Sequence, residues 1–264
     1  MNATLVASAL LLLILLVYSI VMNRRRRPLV AVAFDLDETL GYFTQLGLLK
    51  DVIERYERKQ MSQDDFNRLI DDNPEFIRPG ILEILKFVVN ERDKGRCDTI
   101  VIYTNNNGAR EWTESIGEYF GYKLGKPVFD QYICAYKVNG RKVEPLRTTH
   151  DKTYADFLRC TRTPRGTRVC FFDDIIHPYM KHANVFYVNA KGYTNKLPVY
   201  ISLQRRYRAN RALADEAIAH AINTYGEDAI GGDVKPTTEQ DVDVIIGKFM
   251  LQHTKDFFKA PTRS

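Results

Sequence analysis

Four short apolar runs punctuate the chain: Leu29 to Phe34, Thr99 to Tyr103, Val169 to Phe172 and Val185 to Val188. Each is continuous rather than alternating and rich in β-branched or aromatic side chains, the pattern of strands buried on both faces of a parallel sheet. Between the runs the apolar period lengthens to that of a helix. Leu46, Leu49, Val52, Ile53 and Tyr56 oppose Lys50, Asp51, Glu54, Arg55 and Glu57, which predicts an amphipathic helix. Ser62 and Asp65 form a helix-start signal ahead of Phe66, Leu69 and Ile70, and Pro74 ends that element. A heavily apolar helix is expected from Pro79 until Gly95 closes it, and another carries Trp112, Ile116 and Phe120. His150 to Arg159 reads as a further helix with Lys152 in its first turn. This alternation predicts an α/β domain over residues 30–203, a Rossmann-like, mostly parallel sheet with flanking helices.

Two segments interrupt the alternation. Residues 41–77 form a small helical insertion at the sheet's carboxyl edge, either covering that edge or serving as scaffold. Tyr132 to Lys137 and Arg141 to Val143 flank Asn139-Gly140, the strongest short signal for a β-hairpin insertion. Beyond Leu203 the pattern is helical: one helix carries Leu213, Ala217 and His220, and a last one, after Pro236, carries Val242, Ile245, Ile246, Phe249 and Met250. This extension, 204–264, has no chemical motif.

Ala3 to Met22 is an uncharged apolar run of 20 residues, long enough as a helix to cross ~30 Å of hydrocarbon. The arginines Arg24 to Arg27 follow it, within a basic juxtamembrane segment, 23–29. A cleavable signal would carry its charge before the apolar core, so an uncleaved, single-pass transmembrane helix is expected, with the rest of the chain in the cytosol. Those four arginines also account for most of the net charge of +5, since 5 − 4 leaves +1 for everything else. The body of the protein is nearly neutral, which makes nucleic acid an unlikely partner. Cys97, Cys134, Cys160 and Cys170 show no Cys-x-x-Cys spacing and read as buried free thiols.

The chemistry sits where the apolar runs stop. The first ends on Asp35 and Asp37 within DLDET, and two carboxylates one residue apart in extended chain point to opposite sides of the backbone. At the carboxyl end of a parallel sheet, where ligands bind, such a pair suits metal-assisted phosphoryl transfer. One carboxylate binds Mg²⁺ and attacks phosphorus while the other moves the proton. Thr39 follows at a turn, where its hydroxyl can reach backbone or a carboxylate. Taken alone, the same residues also fit a helix cap or an exposed acidic loop, as the lesser reading. The second run stops on Thr104 and Asn105, beside a helix start that could take a phosphate or be an ordinary cap. The third stops on Asp173 and Asp174, a pair that is costly to bury unless it is matched by a cation. Lys152, unfavourably placed at a helix start, is either held by something anionic or solvated. His177 and His182 read as local contacts, not metal ligands.

In order, DLDETL, YTN, the lysine and FFDD resemble the four-part signature of the haloacid dehalogenase superfamily. The RPG at Arg78 to Gly80 narrows the resemblance, over residues 30 to about 190, to the NLI-interacting-factor-like phosphatases, which include the RNA polymerase II C-terminal-domain small phosphatases. The resemblance implies Asp35 as the nucleophile that becomes an aspartyl phosphate and Asp37 as the general acid/base. Thr104, Asn105 and Lys152 are implied on the phosphoryl group, with Thr39 and Arg78 supporting. It implies Mg²⁺ held by Asp35, Asp37 through its backbone carbonyl, and Asp173 or Asp174, with Asp174 the favoured direct ligand. The activity implied is a Mg²⁺-dependent protein serine/threonine phosphatase acting on a phosphorylated protein. An inactive membrane-anchored binding module, or a phosphatase for small molecules or nucleic-acid ends, is the alternative on the same fold. Residues 41–77 depart from the family's pattern, which uses β-strands there, and 204–264 has no counterpart in it.

Overall fold

The computed structural model describes residues 10–19 and 27–260. The four apolar runs become parallel strands β1 (Val30–Phe34), β2 (Thr99–Tyr103), β6 (Arg168–Asp173) and β7 (Val185–Asn189), joined at one edge by β3 (Gln131–Ile133) in the order β3-β2-β1-β6-β7. This is a five-stranded parallel sheet with flanking helices, a Rossmann-like α/β fold. β1 is central, and the register Phe34↔Ile102 and Phe34↔Phe172 aligns the ends of β1, β2 and β6. Whatever follows those three residues is therefore delivered to one edge.

β3 corrects the sequence reading, which placed its residues in the hairpin. Of the residues expected in the hairpin, Lys137–Val138 (β4) and Arg141–Lys142 (β5) pair antiparallel. Asn139 and Gly140 take the left-handed conformations (φ 48° and 77°) that a two-residue loop demands. Residues 131–133 were hidden because an edge strand of three residues is too short to show a period.

Alternation along β1 splits the core in two. Val32 and Phe34 join the larger cluster with α2 (Phe43–Glu57), α3 (Gln63–Asp72), α4 (Ile81–Asp93) and α5 (Arg110–Leu124). Ala31 and Ala33 face the smaller cluster under α6 (Tyr154–Thr161), whose Tyr154, Phe157 and Cys160 meet Tyr103 and Phe171. α6 starts four residues later than the apolar period predicts, because the Thr153 hydroxyl caps it by accepting the Asp156 N–H (2.9 Å). Lys152 consequently lies in the loop before the helix, not in its first turn. The four cysteines are buried and free.

α7 (Val199–Arg206), α8 (Arg211–Tyr225), α9 (Glu227–Ile230) and α10 (Thr237–Lys259) pack on the larger cluster through Leu203, Ala217, Ala221, Ile230, Met250 and Phe257. Of the apolar residues that mark α10 in the sequence, Val242, Ile245 and Phe249 are exposed. The buried face carries Asp243, Gly247, Met250, Thr254 and Phe257. Gly247 sets that choice: its bare Cα lets α10 approach the Pro79–Gly80 backbone, and a Cβ there would collide with the Pro79 carbonyl oxygen and stand 3.3 Å from the Gly80 Cα.

At the amino end, the described residues 10–19 are helical (α1), with Leu10 to Tyr18 exposed. Ten helical residues rise about 15 Å, half of a hydrocarbon core. Among the described residues no helix is long and apolar enough to cross a membrane. The rest of the expected 3–22 span, and Arg24 to Arg26, lie outside the described residues.

Gly247→Ala tests the seating of α10. Helix propensity alone favours alanine by about 1 kcal/mol, whereas overpacking against fixed backbone costs roughly 1 to 3 kcal/mol. The variant is expected to unfold at lower urea concentration than the parent, and an unchanged or raised midpoint would show that α10 does not rest on Pro79.

Candidate active site

β1 ends and the chain turns at once. The Asp35 N–H still donates to Phe172 O (2.8 Å), but by Glu38 the backbone is left-handed (φ 58°), with Glu38 N–H bonded to Gly41 O (2.8 Å) and Leu40 N–H to Leu36 O (2.9 Å). A left-handed conformation at a non-glycine residue is unfavourable and needs bracing, which Arg78 supplies. Its buried guanidinium donates to Thr39 O (2.7 Å), to Glu38 O and to Lys191 O (2.9 Å). Arg78 is thus a brace for backbone.

The two carboxylates have different partners. Asp35 is ion-paired with Lys152, whose buried ammonium also donates to Asp173 Oδ2 (2.7 Å). Thr39 donates to Asp174 Oδ1 (3.2 Å). One oxygen from each of Asp35, Asp173 and Asp174 lies within 4.8 Å of the others. The Asp37 carboxylate is outside that group. Its Oδ2 accepts the Asn106 amide (2.6 Å), and its Oδ1 is buried without a partner.

The phosphate-side residues divide similarly. Thr104 is buried at the end of β2, its hydroxyl accepting the Asn106 N–H (3.0 Å). Asn105 lines the same cavity, but its Oδ1 accepts from Arg147 (2.8 Å). Arg147 is itself buried over the Tyr103 ring and donates to Thr104 O (3.0 Å), Cys134 O (2.9 Å) and His150 O (2.8 Å). That fan of bonds ties the β2 and β3 ends to the loop delivering Lys152. Asp156 fixes the same loop by accepting the Thr148 N–H and hydroxyl, both at 2.9 Å.

Together these groups line an open recess of about 310 Å³. No residue of 41–77 lines it, so the helical insertion does not cover the site. Of the expected residues, Asp35, Asp37, Thr104, Asn105, Lys152, Asp173 and Asp174 share the recess, while Thr39 and Arg78 stand behind it. Asn106 and Arg147 were not anticipated, and His177, read from the sequence as a local contact, lines the recess. His177 Nε2 sits 3.3 Å from Asp173 Oδ2. His182 keeps away, stacked on Tyr154 and accepting the Asn184 N–H.

Burial dominates the electrostatics. It pushes the Asp35 carboxyl up to about 7, against the pull of Lys152. It raises Asp37 despite the Asn106 hydrogen bond, and raises Asp174 with help from the charge of Asp173. Burial also raises Asp173, but the His177 contact and Lys152 outweigh it and hold that group below its usual range. Four carboxylates around one lysine leave uncompensated negative charge in a poorly solvated place, which is costly unless a cation joins them. The clustered oxygens of Asp35, Asp173 and Asp174 could hold a metal ion, being hard oxygen donors.

Comparison of the chain with protein-family models, with curated proteins and with solved structures finds no match.

Proposed function

We propose that the protein is a Mg²⁺-dependent phosphomonoester hydrolase of the haloacid dehalogenase type, acting on a phosphorylated protein through an aspartyl phosphate on Asp35. The observation that carries this reading is the division between two carboxylates one residue apart. Asp35 sits among the clustered acids on a lysine, whereas Asp37 is turned away onto Asn106 with one oxygen unpartnered. A cap or an acidic loop has no use for that separation, and a hydrolase needs it.

In this scheme Asp35 attacks phosphorus as the bond to the leaving oxygen breaks, and Asp37 gives that oxygen its proton. Asp37, now ionised, takes a proton from water as the water attacks the same phosphorus, and the bond to Asp35 breaks to release phosphate. Burial, which raises the Asp37 carboxyl, helps keep it protonated for the first step. Lys152 balances charge on Asp35 before and after transfer, and the Thr104 hydroxyl and Lys152 bind the phosphoryl oxygens. A divalent cation held by Asp35, the Asp37 backbone and Asp174 would neutralise charge on the transferring group. Asp174 is the favoured ligand because Asp173 is already engaged by Lys152 and His177. The absence of any residue of 41–77 from the recess favours a macromolecular phosphoester over a small molecule enclosed by a lid. The full set of acids and the lysine favours an enzyme over an inactive binding module.

The purified chain is expected to hydrolyse p-nitrophenyl phosphate with Mg²⁺, to stop on chelation, and to lose roughly 10² to 10⁴ in rate in Asp37→Asn. Folded protein without metal-dependent turnover would refute the enzyme reading.

We also propose that residues 3–22 anchor the chain in a membrane with Arg24 to Arg27 on the cytosolic side, since arginine at a bilayer centre costs roughly 2.5 to 3.5 kcal/mol. A glycosylation site engineered into 204–264 is then expected to remain unmodified in cells, and its modification would reverse the orientation.

A further inference from the structure

We propose that Ile175, Ile176 and Tyr179 form an apolar ledge that receives the side chain next to the phosphorylated residue of a protein substrate. This rests on the phosphatase reading of the site and names what lies beside the phosphate. The three side chains are 62%, 53% and 65% exposed, within five residues of one another, immediately after Asp174. Single exposed apolar residues are ordinary. A group of large ones at the mouth of a polar recess is not, and such groups mark interaction sites. Ile175 itself lines the recess, so the ledge is continuous with it.

The ledge is held in place rather than loosely draped. The Ile175 N–H donates to Asp173 Oδ1 (2.9 Å), and the Tyr187 hydroxyl donates to Ile175 O (2.6 Å) while accepting the His177 N–H (3.1 Å). Tyr187 is fixed by its edge-on contact with Phe171, and the segment ends on the fully buried Met180. Three backbone bonds and an apolar anchor thus present two isoleucines and a tyrosine to solvent in one arrangement, and a surface ordered before binding loses little entropy on binding.

The occupant follows from the remainder of the rim. Glu38, Asn106, Asn107 and Asp174 make it polar, with two carboxylates, two amides and, among the described residues, no exposed cluster of cations, which disfavours a sheet of anionic lipid headgroups. An extended peptide advances roughly 3.3 Å per residue and alternates its side chains. With a phosphoserine in the recess, a residue one or two positions away reaches the ledge beside it. Three side chains suit one apolar partner, not a broad interface.

The test uses the full chain and two phosphoserine peptides that differ only in leucine or serine at the two positions on each side of the phosphoserine. The parent is expected to favour the leucine peptide about tenfold in kcat/KM, as partial burial of one apolar side chain implies. In the Ile176→Ser, Tyr179→Ser double variant the preference should fall to about one. Equal use of both peptides by the parent, or a preference that survives in the variant, overturns the ledge while p-nitrophenyl phosphate turnover leaves the phosphatase reading standing. If no phosphoester is turned over, that reading fails separately, and the ratio of peptide affinities by fluorescence anisotropy decides the ledge by the same criterion. A photocrosslinker at position 176 should capture the leucine peptide, and capture of lipid or of a second copy of the chain instead would also overturn the proposal.

Discussion

One buried ammonium group organises the functional edge of this protein. Lys152 is shared between Asp35, directly after β1, and Asp173, the last residue of β6; the residues before them, Phe34 and Phe172, stand in register. Desolvating such charges costs several kcal/mol per ion, and their attraction offsets that only when the geometry is excellent. The fold meets the condition by fixing each member separately: β1 and β6 position the acids, and Arg147 and Asp156 hold the loop that brings the lysine. Removing one partner from a buried pair typically costs about 3 to 5 kcal/mol, because the other is left uncompensated. The arrangement is therefore a constraint on the whole edge.

Much of this was legible in the sequence because parallel strands convert order along the chain into proximity. Four continuous apolar runs each gave a strand, and the residues on which three of them stop, Asp35, Thr104 and Asp173, meet because their ends align. Lys152 could be suspected from an expected place in the first turn of a helix, although that helix starts later and leaves the lysine in the loop before it. What was not legible has a common cause: it depends on contacts that leave no period. Arg147 reaches Thr104 across 43 residues, Asn106 reaches Asp37 across 69, and neither differs in sequence from an ordinary polar loop residue. β3 is too short to announce itself. In α10 the apolar pattern pointed to Val242, Ile245, Ile246, Phe249 and Met250; Ile246 and Met250 do pack on the core, but close backbone approach at Gly247 turns the other three to solvent.

The C-terminal helices acquire a meaning the sequence did not give them. α10 rests on Pro79–Gly80, the residues directly after Arg78, and Arg78 braces the left-handed turn directly after Asp37. Asp243, on the buried face of α10, pairs with Lys235 and adds negative charge near the Arg78 guanidinium, whose buried Nη1 has no hydrogen-bond partner. The chemistry-free extension is thus in mechanical and electrostatic contact with the backbone that sets the geometry of the site.

The central claim is that Asp35, and not its neighbour, carries the phosphoryl group. The most direct measurement is acid-quench trapping of phosphoenzyme on Asp37→Asn, in which hydrolysis of the intermediate is slowed, followed by mapping of the modified peptide by mass spectrometry. The account predicts a hydroxylamine-labile phosphate on Asp35 that requires Mg²⁺ and is absent from Asp35→Asn. The same phosphate on any other residue, or its persistence in Asp35→Asn, would contradict it.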